Sequence, residues 1–298
     1  MSFSRLAVAA SMAASVLLGQ GQVEWPSMGF VTDSVARSVR DIEGVPAAAL
    51  MSEPLTAAQS MAWITAAPAR SYALGVDAES GAVQLVTAVS RLALEGMEPG
   101  ARGVQFSPGG SAAALLYADY AVVIPGLPDH RAESWRVPLP AGAKIAVSDD
   151  GRAALVRHEE RLTLVSAEGS SSEVAGGEWG RAQFTENSQD VLIAARSAVI
   201  EADTRRWELP EGSASVIAAA GSAGRVLALL EGGEIAVWDR AASQLQRIHC
   251  DCQANQLTRV GRAGLYRLND AGDGPVWLLD AVGEARILFV PGAARSAE

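Results

Sequence analysis

Lysine is almost missing from this chain. It occurs once in 298 residues, at Lys144, so nearly all positive charge is arginine. Chemistry that needs a lysine nucleophile therefore has one place to reside. Histidine is scarce too, at His130, His158 and His249. No H-E-x-x-H, no P-loop and no G-x-S-x-G elbow occurs, which removes the signatures of zinc peptidases, P-loop nucleotide hydrolases and α/β-hydrolases. The net charge is −10. Phosphate backbones demand clustered cations, so the composition argues against nucleic acid as a partner, and equally against anionic membrane surfaces. Beyond the first residues no apolar run reaches about 18, so no membrane insertion of the mature chain is expected. Helical periodicity is lacking as well: outside the leader, no window sustains a 3.6-residue period with caps.

The chain is nevertheless 49% hydrophobic, ample for a core. Its first 21 residues have the layout of a signal peptide. Arg5 supplies the positive start, Leu6–Leu18 the apolar run, and Gly19-Gln20-Gly21 the small residues before a cleavage point. No cysteine follows to carry a lipid anchor. An exported protein, periplasmic or extracellular, is the expectation, with residues 22–298 as one domain.

That domain repeats itself. A tight turn between apolar strands recurs as Phe106-Ser-Pro-Gly-Gly-Ser111, Val147-Ser-Asp-Asp-Gly-Arg152 and Phe184-Thr-Glu-Asn-Ser-Gln189. Asp, Asn, Pro and Gly suit such turns because they pre-set or tolerate the required backbone angles. Aligning the turns puts anchors at Ala36, Ala69, Gly110, Gly151, Ser188, Gly224 and Gly261. A second hairpin follows each one, with an acid in or at the end of its first strand, as in Glu168, Asp203, Asp239 and Asp280. A β repeat of about 40 residues is the spacing of propeller blades. One four-stranded unit cannot bury both faces, so neighbours must stack and close radially.

The FSPGG and VSDDGR turns, together with Gly233-Glu-Ile-Ala-Val-Trp-Asp239, resemble bacterial WD40-like and YVTN-like propeller repeats over roughly residues 60–292. No Gly-His occurs, so the hydrogen-bonded tetrad of WD40 proteins is not expected. The resemblance implies an all-β fold: a propeller of seven blades, mostly of four antiparallel strands, with six blades plus an N-terminal hairpin as the alternative. The ring is expected to close near residues 27–55 and 284–292. Two registers compete there. Ala36 aligned with Ala69 makes residues 27–55 a three-stranded first blade. Asp33 aligned with Asp239 makes residues 29–43 an outer hairpin, followed by a strand over 47–51.

Repeat phase points to a site. Arg102, Lys144 and Arg181 lie seven or eight residues before their turn anchors, at the start of three consecutive innermost strands. Those strands line a propeller's channel, so the three cations are expected at one mouth as an anion-binding patch. No catalytic residue, metal ligand or cofactor is expected. The predicted function is a monomeric, non-enzymatic scaffold for a protein partner or a small anionic ligand. A propeller hydrolase or lactonase is the alternative, needing acids, histidines or a metal at the mouth. Cys250 and Cys252 are expected to form a disulfide, as two cysteines in an exported chain. His249 with these cysteines, and Asn269-Asp-Ala-Gly-Asp-Gly274, are weaker metal readings, since both lack a full ligand set. His158-Glu159-Glu160 reads as a solvated turn, while Trp135 and Trp207 lie in outer-strand phase as possible partner surface.

Overall fold

The computed structural model describes residues 26–129, 132–176, 181–187, 189–201, 205–222, 224–242, 244–272 and 274–292. The leader and His130 lie outside them. Seven antiparallel sheets follow one another along the chain: one of three strands, then six of four. The fold is a seven-bladed β-propeller, not six blades plus a hairpin. Apart from the short 3-10 turn Thr56–Ala58, every assigned element is a strand.

Small and β-branched residues explain the stacking. The second strand of blade 3, Ala112–Leu116, reads AAALL and is almost wholly buried. Alanine there lets adjacent sheets approach closely while Leu115, Ile124 and Val123 fill the space between. The buried residues form successive clusters, each between neighbouring blades. This is a core cut into wedges, as repeat folds require.

The recurrent turn does more than reverse the chain. Ser107 Oγ accepts from Ala112 N–H (3.1 Å) and Ser148 Oγ from Ala153 N–H (3.0 Å), closing each turn internally. Asp149 then latches three blades together. Its Oδ1 accepts from Gly109 N–H (2.7 Å) and its Oδ2 from Asn187 N–H (2.8 Å). Ser111 Oγ donates to Asp149 O (2.6 Å), and Tyr72 OH donates to Gly110 O (2.7 Å) from blade 2. Gly110 is required at its place: φ is +65°, and a Cβ would lie 2.3 Å from Pro68 O.

The acids of the second hairpin are turn formers. Asp239 Oδ1 accepts from the N–H groups of Ala241 and Ala242, both at 2.8 Å, and Asp77 does the same for Glu79 and Ser80. Trp238 is buried between blades, and Trp277 packs edge-on against Phe289. Trp207 is buried as well, with Arg240 over its ring at 5.4 Å, and Trp135 Nε1 donates to Gly151 O (2.8 Å). Both outer-phase tryptophans are thus engaged in packing or hydrogen bonding within the propeller.

Blade 1 departs from the repeat. Its strands are Ser27–Asp33, Ser38–Glu43 and Leu50–Met51. Phe30 N–H donates to Arg70 O (3.1 Å), and Ala66 N–H donates to Thr32 Oγ1 (2.9 Å). The first strand therefore runs against the inner strand of blade 2, whereas equivalent strands of a ring run parallel. Among the described residues, blade 1 has no innermost strand of the usual direction. Blades 2 and 7 meet directly in front of blade 1, where Ala69 N–H donates to Arg259 O (3.1 Å). The strand number agrees with the Ala36 register. The turn chemistry agrees with the Asp33 register, since Asp33 Oδ1 accepts from Val35 and Ala36 N–H as Asp239 does from its own turn. On the other side blade 1 meets blade 7 through a parallel bridge between Asp33 and Ala271.

Candidate functional site

The channel holds two connected cavities. One opens where the inner strands start, the other where those strands end in their turns. Gln105, Ala146, Gln183, Gln256, Leu257 and Thr258 line both and form the waist between them.

The start mouth has a volume of about 490 Å³. Lys144 and Arg181 line it, and Arg157 joins them. Strand pairing explains the convergence. Lys144 is the cross-strand partner of Arg157. Arg181 occupies the same position one blade on, where Ala194 N–H donates to its carbonyl (2.8 Å). No acid is among the described residues lining this cavity; the rest are apolar side chains, amides and a threonine.

Arg102 does not line it. Gly103 pairs with Leu116 as Lys144 pairs with Arg157, so Gly103 holds the equivalent position. Arg102 stands one residue earlier, and in a strand a one-residue offset turns the side chain to the other face. Its position eight rather than seven residues before the anchor is the signal of this offset. Arg157 was visible in the sequence only as part of the charged run around His158. That run is a hairpin turn, with His158 paired to Arg161 and Glu159 at φ +54°.

The turn-side cavity, about 350 Å³, is lined by ionisable groups from blades 5 and 7. Arg259 and Glu186 form an ion pair at 2.6 Å across blades 7 and 5. Burial pushes the Glu186 carboxyl up, and the Arg259 guanidinium opposes that. Tyr266 is buried beside them and its hydroxyl is pushed up to about 12, chiefly by burial. Arg267, in the second strand of blade 7, is 8% exposed. Its Nη2 donates to Gln256 Oε1 (3.3 Å), while Nε and Nη1 have no hydrogen-bond partner. Burial pulls its pKa down, and Asp270 pulls it back up. No repeat position announces Arg267, because the other blades place Ala or Leu at the matching step of that strand.

The remaining predicted groups fall elsewhere. Cys250 and Cys252 are both buried, with Cα atoms 5.0 Å apart, inside the range a bridge needs. His249 is exposed and lies 3.0 Å from Asp251. Asn269 is spent on its own loop, donating to Pro275 O and accepting from Trp277 N–H. Among the described residues no group of three His, Cys, Asp or Glu side chains is placed to hold a metal.

No protein-family model matches the chain, and no curated protein is similar to it in sequence. Solved structures are similar in fold. Apo AztD of Citrobacter koseri superimposes with a TM-score of 0.52 at 11% identity, over 90% of this chain and 83% of that one. Hsv2 of Kluyvelomyces marxianus gives 0.55 at 11%, over 89% and 97%. An oligogalacturonate lyase in complex with manganese gives 0.52 at 12%, over 89% and 84%. At such identity these likenesses define the class, the β-propeller, and nothing finer.

Proposed function

We propose that this propeller is an exported, monomeric, non-enzymatic scaffold that binds a small anionic ligand at the start mouth of its channel. The observation that carries this reading is the convergence of Lys144, Arg157 and Arg181 on one cavity with no described acid in its lining, in a chain of net charge −10. A concave site lined by one sign of charge concentrates the opposite sign, and arginine suits carboxylate and phosphate groups. That lining favours this reading over a hydrolase at the start mouth, since the channel's described acids, Glu186 and Asp270, line its other end. Export rests on the leader-like first 21 residues, and the close approach of Cys250 and Cys252 supports a bridge between them.

The test is calorimetric titration of the full mature chain with inorganic phosphate and with citrate. Binding is expected, and the Lys144→Ala/Arg181→Ala double variant should weaken it at least about tenfold, the loss of two ligand-facing charges. Equal affinity in wild type and double variant contradicts the reading. Mass spectrometry of the exported protein, before and after reduction, tests the leader and the bridge together.

A further inference from the structure

Arg267 does not line the start mouth, and its guanidinium is costly to bury. A guanidinium enclosed by protein must exchange its hydration for hydrogen bonds, or it destabilises the fold. Here two of its three nitrogens find no acceptor, and the third makes a long bond to Gln256. Asp270 acts on it through its charge, but the two orphaned nitrogens donate no hydrogen bond to the nearby carboxylates. Asp270 accepts from Gln256 Nε2 (2.7 Å), and Glu186 is paired with Arg259. The Arg259–Glu186 pair is itself incomplete: Glu186 Oε2 is buried without a donor. The cavity wall therefore carries a guanidinium and a carboxylate that each keep at least one buried atom without a hydrogen-bond partner.

We infer that the turn-side cavity is a second, interior ligand site, which takes a small monocarboxylate bearing a hydrogen-bond donor, with the carboxylate at Arg267 and the donor at Glu186. Two carboxylates already line the cavity, so a single negative charge is accommodated better than a phosphate dianion. A volume of about 350 Å³ leaves room for such a molecule with water beside it. Hydroxy acids and amino acids share this chemistry, the donor being a hydroxyl in one and an ammonium in the other. The site stands whether or not the start mouth binds anions, since Arg267 lines only the turn-side cavity of the two.

The test is calorimetry and thermal unfolding of the full mature chain with lactate, alanine and propionate. Lactate or alanine should bind at least about tenfold tighter than propionate, since propionate leaves the buried acceptor unpaired. Which of the two binds tighter identifies the donor. Arg267→Met should lose the carboxylate binding, while Lys144→Ala/Arg181→Ala should keep it within about twofold, as expected for independent sites. If Arg267→Met does not fold, Glu186→Gln serves instead, and should shrink the preference for lactate or alanine over propionate to within about threefold. No binding of either ligand to wild type, or full binding by Arg267→Met, overturns the inference.

Discussion

The two ends of the channel solve the problem of holding positive charge in opposite ways. At the start mouth, Lys144 and Arg181 are exposed and water bears the cost of their charge. At the turn end, Arg267 is enclosed, and only neighbouring protein groups or a ligand can satisfy it. The first arrangement costs little to fold, and an anion held there would bind weakly and reversibly. The second costs stability, and a ligand there would be selected strictly, because a wrong one leaves buried groups unpaired. The repeat architecture accounts for the difference. Lys144 and Arg181 come from equivalent positions on successive blades, so they form a patch by repetition, which Arg157 joins from across the sheet. The turn-side cavity instead joins Glu186 of blade 5 to Arg259 and Arg267 of blade 7, where the described residues of blade 1 supply no innermost strand of the usual direction and the symmetry breaks.

The largest effect separating the ends is expected from Asp149→Ala. That carboxylate latches the turns of blades 3, 4 and 5, so its loss should cost about 2–3 kcal/mol, the scale of charge-assisted hydrogen bonds. Denaturant titration measures this, and phosphate affinity at the start mouth should survive; a matching loss of phosphate binding would mean that the ends are not separable. Next comes charge reversal. Lys144→Glu/Arg181→Glu should abolish phosphate binding and leave the unfolding midpoint nearly unchanged, since exposed charges contribute little to stability.

Salt sharpens the contrast. Raising ionic strength from about 0.05 to 0.5 M shortens the screening length several-fold, so start-mouth affinity should fall markedly while the interior site, shielded by protein, changes little. Parallel salt slopes would contradict the distinction. A smaller effect comes from acid. Asp33 is buried and paired with Arg40 at 2.7 Å. Burial alone would raise its pKa, but the Ala36 N–H and Arg40 outweigh that and hold it below the ordinary value. A carboxyl depressed in the native state contributes stability that is full above its unfolded pKa and is lost as pH falls through the native one. Asp33→Asn should therefore flatten the acid limb of the stability profile while leaving ligand affinity near neutral pH unchanged. The smallest effect is that of Arg102→Ala. Because Gly103 holds the position equivalent to Lys144, removing Arg102 should change start-mouth affinity by less than about twofold, within the additivity of distant sites.

The sequence was informative wherever a feature repeats. Turn chemistry at Ser107–Gly110 and Ser148–Gly151 revealed the blades, and the phase it set located Lys144 and Arg181. Arg102 shows the limit of that phase, since one residue of slippage in a strand reverses a side chain. Arg157 escaped because cross-strand partners are set by register, which only the folded sheet displays. Arg267 and Glu186 escaped for a deeper reason. Neither sits in a motif, and what distinguishes them is unpaired polar atoms in a buried place, a property of the packed structure alone. Blade 1 was half legible: its strands and the Asp33 turn could be read, whereas the reversed direction of its first strand could not.

The most direct test of the two-ended channel is the crystal structure of the protein in iodide, whose anomalous signal marks bound anions. The account predicts one peak among Lys144, Arg157 and Arg181 and a second beside Arg267, the second vanishing when lactate or alanine is added. Iodide scattered over arginines of the outer surface, with none in the channel, would contradict it.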